Sequence, residues 1–378
     1  VDNNKWLVPF IAISFNLIIL GFFKYFNFFI SNIIFLFDSF EINTSLETLK
    51  ILLPIGISFY TFQNISYLVD VYRKDIQPCK SPIDYFIFVS FFPQLVAGPI
   101  ERAKRLLPQI GSKRYFSYKM FIGGFYLIIW GLFKKLVIAD NVALISNKIF
   151  LLKDPDPFFI VVGTLAFCIQ IFADFSAYTD IARGTAKLLG FNLIKNFDNP
   201  YFASNPSDFW KRWHISLSSW IRDYIYIPLG GSYCSTTRWL INITVTFSLM
   251  GLWHGASINF IIWGLYHALL TIIYKLINYL VPSNFQNLHY SGIITIPLFF
   301  FFTNIGWLIF REQDLAFLIK YFGLFFNGSS YLNFGIALYL FITLILYSLP
   351  IIITSVYTYC VQRGKIEIKI SESIIINF

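Results

Sequence analysis

Long apolar runs separated by short polar clusters set the pattern of this chain. Leu7 to Phe23 is nearly free of charge and long enough to cross a hydrocarbon core of about 30 Å. Lys24 ends that run, and Phe26 to Phe40 predicts a second, shorter membrane segment. After the polar stretch Glu41–Lys50 comes Ile51–Val69, which holds Pro54 and Gly56, then Gln63, Asn64 and Ser66. Such residues predict a kinked helix that faces protein rather than lipid. Tyr85 to Val96 is apolar but short and stops at Ala97–Arg102. Phe121 to Phe133 enters the membrane again, where Lys134 and Lys135 either snorkel or break the segment. Asp154–Pro157 predicts a turn. Phe158–Ala173 then returns and runs into Asp174–Asp180, with two carboxylates six apart near a helix end.

Between Arg238 and Lys275 there is no Asp, Glu, Lys or Arg. One straight helix there would be about 54 Å long, too long for a single span. The natural break is Gly251–Ser257, where glycines flank His254. Two helices meeting at a membrane-embedded turn would put His254 at depth. The last third predicts spans near Ile293–Phe310 and Phe334–Cys360 with a shorter segment at Leu315–Phe326. No internal repeat is visible, so the expectation is a single all-α polytopic membrane domain over residues 1–378.

Composition agrees: 57% of the residues are apolar and 13% charged, against about 25% charged in soluble domains. The net charge of +9 does not imply nucleic acid, because the cations cluster between apolar runs. Arg102, Lys104, Arg105, Lys113, Arg114 and Lys119 stand against Glu101 alone, as in a cytoplasmic loop under the positive-inside rule. Counting crossings puts Arg183–Arg238 on the same side. Cys79, Cys168, Cys234 and Cys360 are dispersed and predict neither a metal site nor a disulfide. The chain begins at Val1 with no cleavable signal pattern, so a truncated N-terminus is expected.

The candidate chemistry lies in Asn205–Ser257. Polar groups inside a bilayer are costly and are functional candidates by default. His254 is either a neutral imidazole bonded to a nearby carbonyl or a base; its ordinary pKa of about 6.5 suits it to take a proton from a hydroxyl. For His214 two readings stand as well. Its segment is an interfacial helix with Trp210, Trp213, Trp220, Tyr224 and Tyr226 at headgroup level. Alternatively, His214 guides a substrate or orients the second histidine, while Arg212 and Arg222 hold phosphate or carboxylate. Arg222 and Asp223 can equally form a local ion pair. His267 is expected to be structural, and His289 in its polar loop has no assigned role. No Gly-x-Ser-x-Gly turn is present, and Asp174, Asp180 and Asp208 are expected to pair with Arg183, Lys211 or Arg212.

Several motifs together resemble the membrane-bound O-acyltransferase family, in its bacterial branch of alginate and peptidoglycan O-acetyltransferases, near the protein that carries D-alanine toward teichoic acid. They are Leu53-Pro-Ile-Gly-Ile-Ser-Phe-Tyr-Thr-Phe-Gln63, Phe91-Phe-Pro-Gln-Leu-Val-Ala-Gly-Pro-Ile100, Phe197-Asp-Asn-Pro-Tyr201, Arg212-Trp-His-Ile-Ser-Leu217, Arg222-Asp-Tyr-Ile-Tyr-Ile-Pro-Leu-Gly-Gly231 and Gly251-Leu-Trp-His-Gly-Ala256. The resemblance implies a bundle with short, kinked or re-entrant helices around a central tunnel. It makes His254 and His214 the catalytic candidates. Their neighbours Arg212, Trp213, Ser216, Arg222, Asp223, Trp253 and Gly255 become the substrate-binding candidates, with no metal. It further implies an acyl donor arriving from the cytoplasm, acetyl-coenzyme A or another thioester, as a substrate and not as a bound cofactor. The expected partners are an extracytoplasmic transferase and a polysaccharide acceptor. The expected location is a bacterial inner membrane, among its lipids. Family members carry further membrane segments ahead of the stretch matching Lys5–Phe28, and these are absent from this sequence. D-alanyl or longer-acyl transfer is the near alternative. A transporter or flippase, with His254 as a proton relay, is the alternative of another class.

Overall fold

The computed structural model describes residues 6–95, 98–152, 155–280, 292–326 and 333–364 (of 325 and 326 the backbone alone), and among them every regular element is a helix. Six helices are long and apolar enough to cross a membrane. In chain order these six are α1 (Leu7–Ser39), α6 (Tyr118–Phe150), α7 (Pro157–Leu188), α11 (Ile258–Leu280), α12 (Gly292–Arg311) and α14 (Phe334–Gln362). Shorter helices lie between them: α2 (Ile57–Tyr72), α3 (Pro82–Val89), α4 (Phe92–Leu95), α5 (Ala103–Gly111), α8 (Pro206–Arg212), α9 (Ile215–Ile221), α10 (Thr236–His254) and α13 (Leu315–Phe326). The chain is an all-α polytopic membrane protein.

Two expectations about the spans change. The runs on either side of Lys24 form one helix of 33 residues, because a π-helical turn at Gly21–Tyr25 carries the lysine without ending the helix. Lys134 and Lys135 neither snorkel nor break α6. A second π-helical turn, Lys134–Ala139, points them at α7. Buried Lys134 meets Asp180 at 2.6 Å and the Ser176 hydroxyl at 2.8 Å, and Lys135 meets Asp140 at 2.7 Å and Asp174 at 2.8 Å. Arg183 shares Asp180 at 3.3 Å. Ionic groups at membrane depth are tolerated when they are paired in this way. Nearer the start of α6 the two helices touch backbone to backbone. A Cβ on Gly184 would lie 2.6 Å from the Gly124 carbonyl oxygen.

Pro54 and Gly56 start α2 and do not kink it. Gly56 is left-handed (φ 77°) and sits against the Leu95 carbonyl, where a Cβ would come within 2.7 Å. Alongside α2, the short helices α3 and α4 pack as a re-entrant pair. Gln63 and Gln94 both donate to the Phe88 carbonyl, at 3.4 and 3.2 Å, and the Tyr85 hydroxyl bonds Asn64 at 2.9 Å. The segment predicted to lie at headgroup level is instead packed in protein. Trp213 and Trp220 are 2% and 4% exposed, and Trp220 stacks on Phe62 at 4.0 Å and donates to its carbonyl. Aromatic rings of this size bury best against one another: Phe62 of α2 covers Trp220, and Phe172, Phe209 and Trp307 surround Trp213.

Helices α10 and α11 form an antiparallel hairpin whose apex is Gly255–Ser257. Small residues allow the close approach. A Cβ on Gly251 would lie 2.1 Å from the Phe260 carbonyl oxygen, and one on Gly264 2.2 Å from that of Phe247. Gly264→Leu should therefore force the hairpin apart and destabilise the protein by at least the 1–3 kcal/mol or so typical of overpacking. Gly21→Ala, where nothing lies within 4 Å, should leave stability unchanged or slightly raised. Thermal melts of the two variants in detergent check this; equal melting temperatures would remove the packing argument.

Candidate active site

The apex of the α10–α11 hairpin carries His254 as the last residue of α10. Gly255 leaves the helix in extended conformation (φ −175°), and a Cβ there would lie 2.3 Å from the Phe260 ring. The Ser257 hydroxyl accepts from the Asn259 N–H at 3.3 Å, and the Asn259 side chain donates to the Glu312 carbonyl at 2.6 Å. The turn is thereby fastened to the end of α12. Around the imidazole stand Trp253, Trp263 and Phe310, with centroids 4.9, 5.0 and 5.3 Å away and all edge-on. His254 opens on a cavity of about 310 Å³, lined also by Lys24, Ser58, Phe175, Trp213 and Trp307.

Lys24 completes this arrangement, and the pattern of apolar runs had treated it as a terminator. The last carbonyls of a helix have no partner within it, and a cation is favoured there. Lys24 Nζ donates to the Trp253 carbonyl and to the Ser58 hydroxyl, and the neighbouring Tyr25 hydroxyl donates to the Leu252 carbonyl at 2.9 Å. The π-helical turn in α1 presents both side chains to the end of α10. π-helical turns of this kind are frequent at functional sites. The signal was available: one cation in the middle of an apolar run longer than 30 residues.

His214 lies behind the cavity wall. It joins α8 to α9 in left-handed conformation (φ 42°), strained for a residue with a Cβ. The Asn196 carbonyl and side chain hold the next two N–H groups, at 2.9 Å from Ile215 and 3.2 Å from Ser216. His214 is 1% exposed, and neither ring nitrogen has a hydrogen-bond partner among the described residues. Its ring packs on Phe175 at 4.7 Å and on Trp253 at 5.7 Å. Trp253 therefore lies between the two imidazoles.

The other candidates separate. Trp213 and Trp253 line the His254 cavity, and Gly255 shapes the turn beside it. Ser216 is fully buried, and its hydroxyl accepts from the Ile100 N–H at 3.0 Å, tying the re-entrant segment to the loop before α5. Arg212 is held by Asp208 at 2.8 Å and by the Asp198 carbonyl at 3.3 Å. Asp223 bridges Arg102 at 3.2 Å and Arg222 at 2.8 Å, so the local ion pair is present. Arg222 lines a second cavity of about 590 Å³, on the side of the basic loops, together with Lys211, Lys275 and the hydroxyls of Ser218 and Ser219. His267, 2% exposed, packs between Trp210 and Trp263 at 5.0 and 4.8 Å. His289 lies outside the described residues. Among the described residues no three His, Cys, Asp or Glu side chains gather as a metal site.

Residues 74–319 match the membrane-bound O-acyltransferase family model, and the chain belongs to that family. It is 37% identical to the probable alginate O-acetylase of Pseudomonas putida over 86% of this chain and 65% of that protein. Its identity to the peptidoglycan O-acetyltransferase of Helicobacter pylori is 35%, over 84% of this chain and 64% of that protein. The teichoic acid D-alanyltransferase of Bacillus subtilis is 29% identical, over 68% and 69% of the two chains. The chain thus spans a little under two thirds of the two acetylating relatives.

Glu101, in the loop before α5, is tied to the segment between α7 and α8. Its carboxylate accepts from the Ile194 N–H at 2.5 Å and lies 3.8 Å from Arg105, and burial pushes its pKa up to about 7. A carboxyl raised in the folded state contributes stability that is full below its unfolded pKa of about 4.5 and is lost as pH rises through 7. Glu101→Gln keeps the acceptor and removes the titration. Relative to the unsubstituted protein, its melting temperature should rise between pH 5 and pH 8; a constant offset across that range would contradict this assignment.

Proposed function

We propose that this protein is an O-acyltransferase that moves an acetyl group from a cytoplasmic thioester across the membrane for O-acetylation of a cell-surface polysaccharide. The observation that carries the reading is His254 at the apex of a helical hairpin, opening on an aromatic-walled cavity. Neutral imidazole takes the proton of the acceptor hydroxyl as its oxygen attacks the thioester carbonyl, and the departing thiolate takes that proton back. Trp263, Trp307 and Phe310 exclude water, so the thioester is not lost to hydrolysis. His214 acts through Trp253, the ring it shares with His254, and positions the base.

The donor is acetyl-coenzyme A, and the cavity with Lys211, Arg222 and Lys275 offers cations for its phosphates on the side of the basic loops. The greater likeness to proteins named for alginate and peptidoglycan O-acetylation than to the D-alanyltransferase favours acetyl and a polysaccharide acceptor. An extracytoplasmic transferase would complete delivery from a bacterial inner membrane.

Reconstitution of the full-length protein with labelled acetyl-coenzyme A and its partner transferase tests the reading. His254→Ala should lower label transfer by about 10²–10⁴-fold, the contribution of a general base. Lys24→Met, which releases the end of α10, should lower it by up to about 10²-fold through misplacement. Undiminished transfer by a folded His254→Ala protein would overturn the mechanism.

A further inference from the structure

A third cavity, of about 610 Å³, lies between α6, α7 and α14 and shares no lining residue with that of His254. Its polar end holds Lys134, Arg183 and Lys195 with one carboxylate, Asp180. That carboxylate is engaged by both Lys134 and Arg183, so the lining carries two positive charges in excess. Arg183 is 7% exposed, and its Nε has no hydrogen-bond partner among the described residues. Burial and the adjacent Arg183 charge hold the Lys195 ammonium below its ordinary pKa range. Asp198 near Lys195 and Glu101 near Arg183 offset part of that charge. Buried cations that are only partly compensated are costly, and an anion seated among them offsets the remainder.

The rest of the lining is largely apolar. Trp130 and Phe133 from α6 and Pro350 and Ile351 from α14 contribute to it, with the Trp130 ring 6.0 Å from Lys134 Nζ. Helix α14 packs on α7 and on the outer part of α6, so the cleft lies along the cytoplasmic part of α6, with exposed Tyr126 and Thr354 at its rim. Both flanking helices are membrane spans, and the rim therefore faces hydrocarbon. A cation cluster with an apolar groove leading to the bilayer matches one kind of molecule: an amphiphile with an anionic head and an acyl chain.

We propose that this cleft binds an anionic phospholipid of the cytoplasmic leaflet, its phosphate among Lys134, Arg183 and Lys195 and a chain along Trp130, Phe133 and Ile351. Charge-assisted hydrogen bonds from arginine and lysine are the strong contacts to phosphate. The cytoplasmic leaflet supplies anionic headgroups on the side where the basic loops lie.

Native mass spectrometry of the full chain in neutral detergent tests the assignment with three probes: dioleoylphosphatidylglycerol, dioleoylphosphatidylcholine and coenzyme A. Dioleoylphosphatidylglycerol should be retained as a one-to-one adduct, and dioleoylphosphatidylcholine should not displace it. Lys195→Gln should lower retention at least tenfold. Thr354→Trp, which keeps all three cations and fills the rim, should do the same. Retention unchanged in either folded variant, or equal retention of dioleoylphosphatidylcholine, would overturn the site. Displacement of the adduct by equimolar coenzyme A would overturn the lipid and assign the cations to a soluble phosphate ligand.

Discussion

The last turn of α10 ends inside the helical bundle, beside the aromatic-walled cavity. An unsatisfied carbonyl there costs several kcal/mol, so the end of this helix is possible only if another element brings donors to it. Lys24 and Tyr25 do so from α1, and Asn259 fastens the following turn to α12. Three segments distant in sequence converge on one helix terminus, and His254 is the residue at that terminus. Close contact at Gly251 and Gly264 fixes where the terminus falls.

The same economy governs the rest of the bundle. Asp180 offsets one of the two charges of Lys134 and Arg183 across α6 and α7, and Gln63 and Gln94 donate to the Phe88 carbonyl while Tyr85 bonds Asn64. Between these polar clusters the space is filled by aromatic rings. Around His254 they form a rigid, weakly polar wall: Trp263 packs on Trp307 at 6.2 Å and on Phe310 at 5.2 Å. A cavity lined in this way sets few polar groups beside the imidazole.

Much of this was legible in the sequence. The charge-free stretch from Arg238 to Lys275 is too long for one span, and its glycines mark the break, so the hairpin and its histidine followed from length and small residues. The last spans followed from apolar runs bounded by charge. What was not legible depended on tertiary partners. Lys24 and Lys134 look like the ends of segments because a lysine alone is unfavourable in a membrane; only the carbonyl of Trp253 and the carboxylate of Asp180 make them interior residues. Trp213 and Trp220 resemble interfacial anchors until the rings that cover them, Trp307 and Phe62, are in place. Ser216 neighbours a histidine in sequence, yet its hydroxyl bonds Ile100, which no local pattern reveals, whereas the Asp208–Arg212 pair, four residues apart, is one that the sequence suggests.

The π-helical turn Gly21–Tyr25 is centred on residue 23, the midpoint of α1. A helix of 33 residues is about 50 Å long, longer than a hydrocarbon core of about 30 Å, and must tilt to be accommodated. When a rod tilts about its centre, its ends sweep furthest and its middle moves least. Joined to α10 at that middle, α1 is a lever pinned at its fulcrum. Asn64 of α2 also holds the first half of α1 through Asn16 at 3.2 Å, so the tilt that fits the helix to the bilayer is set together with the bonds that hold the histidine turn.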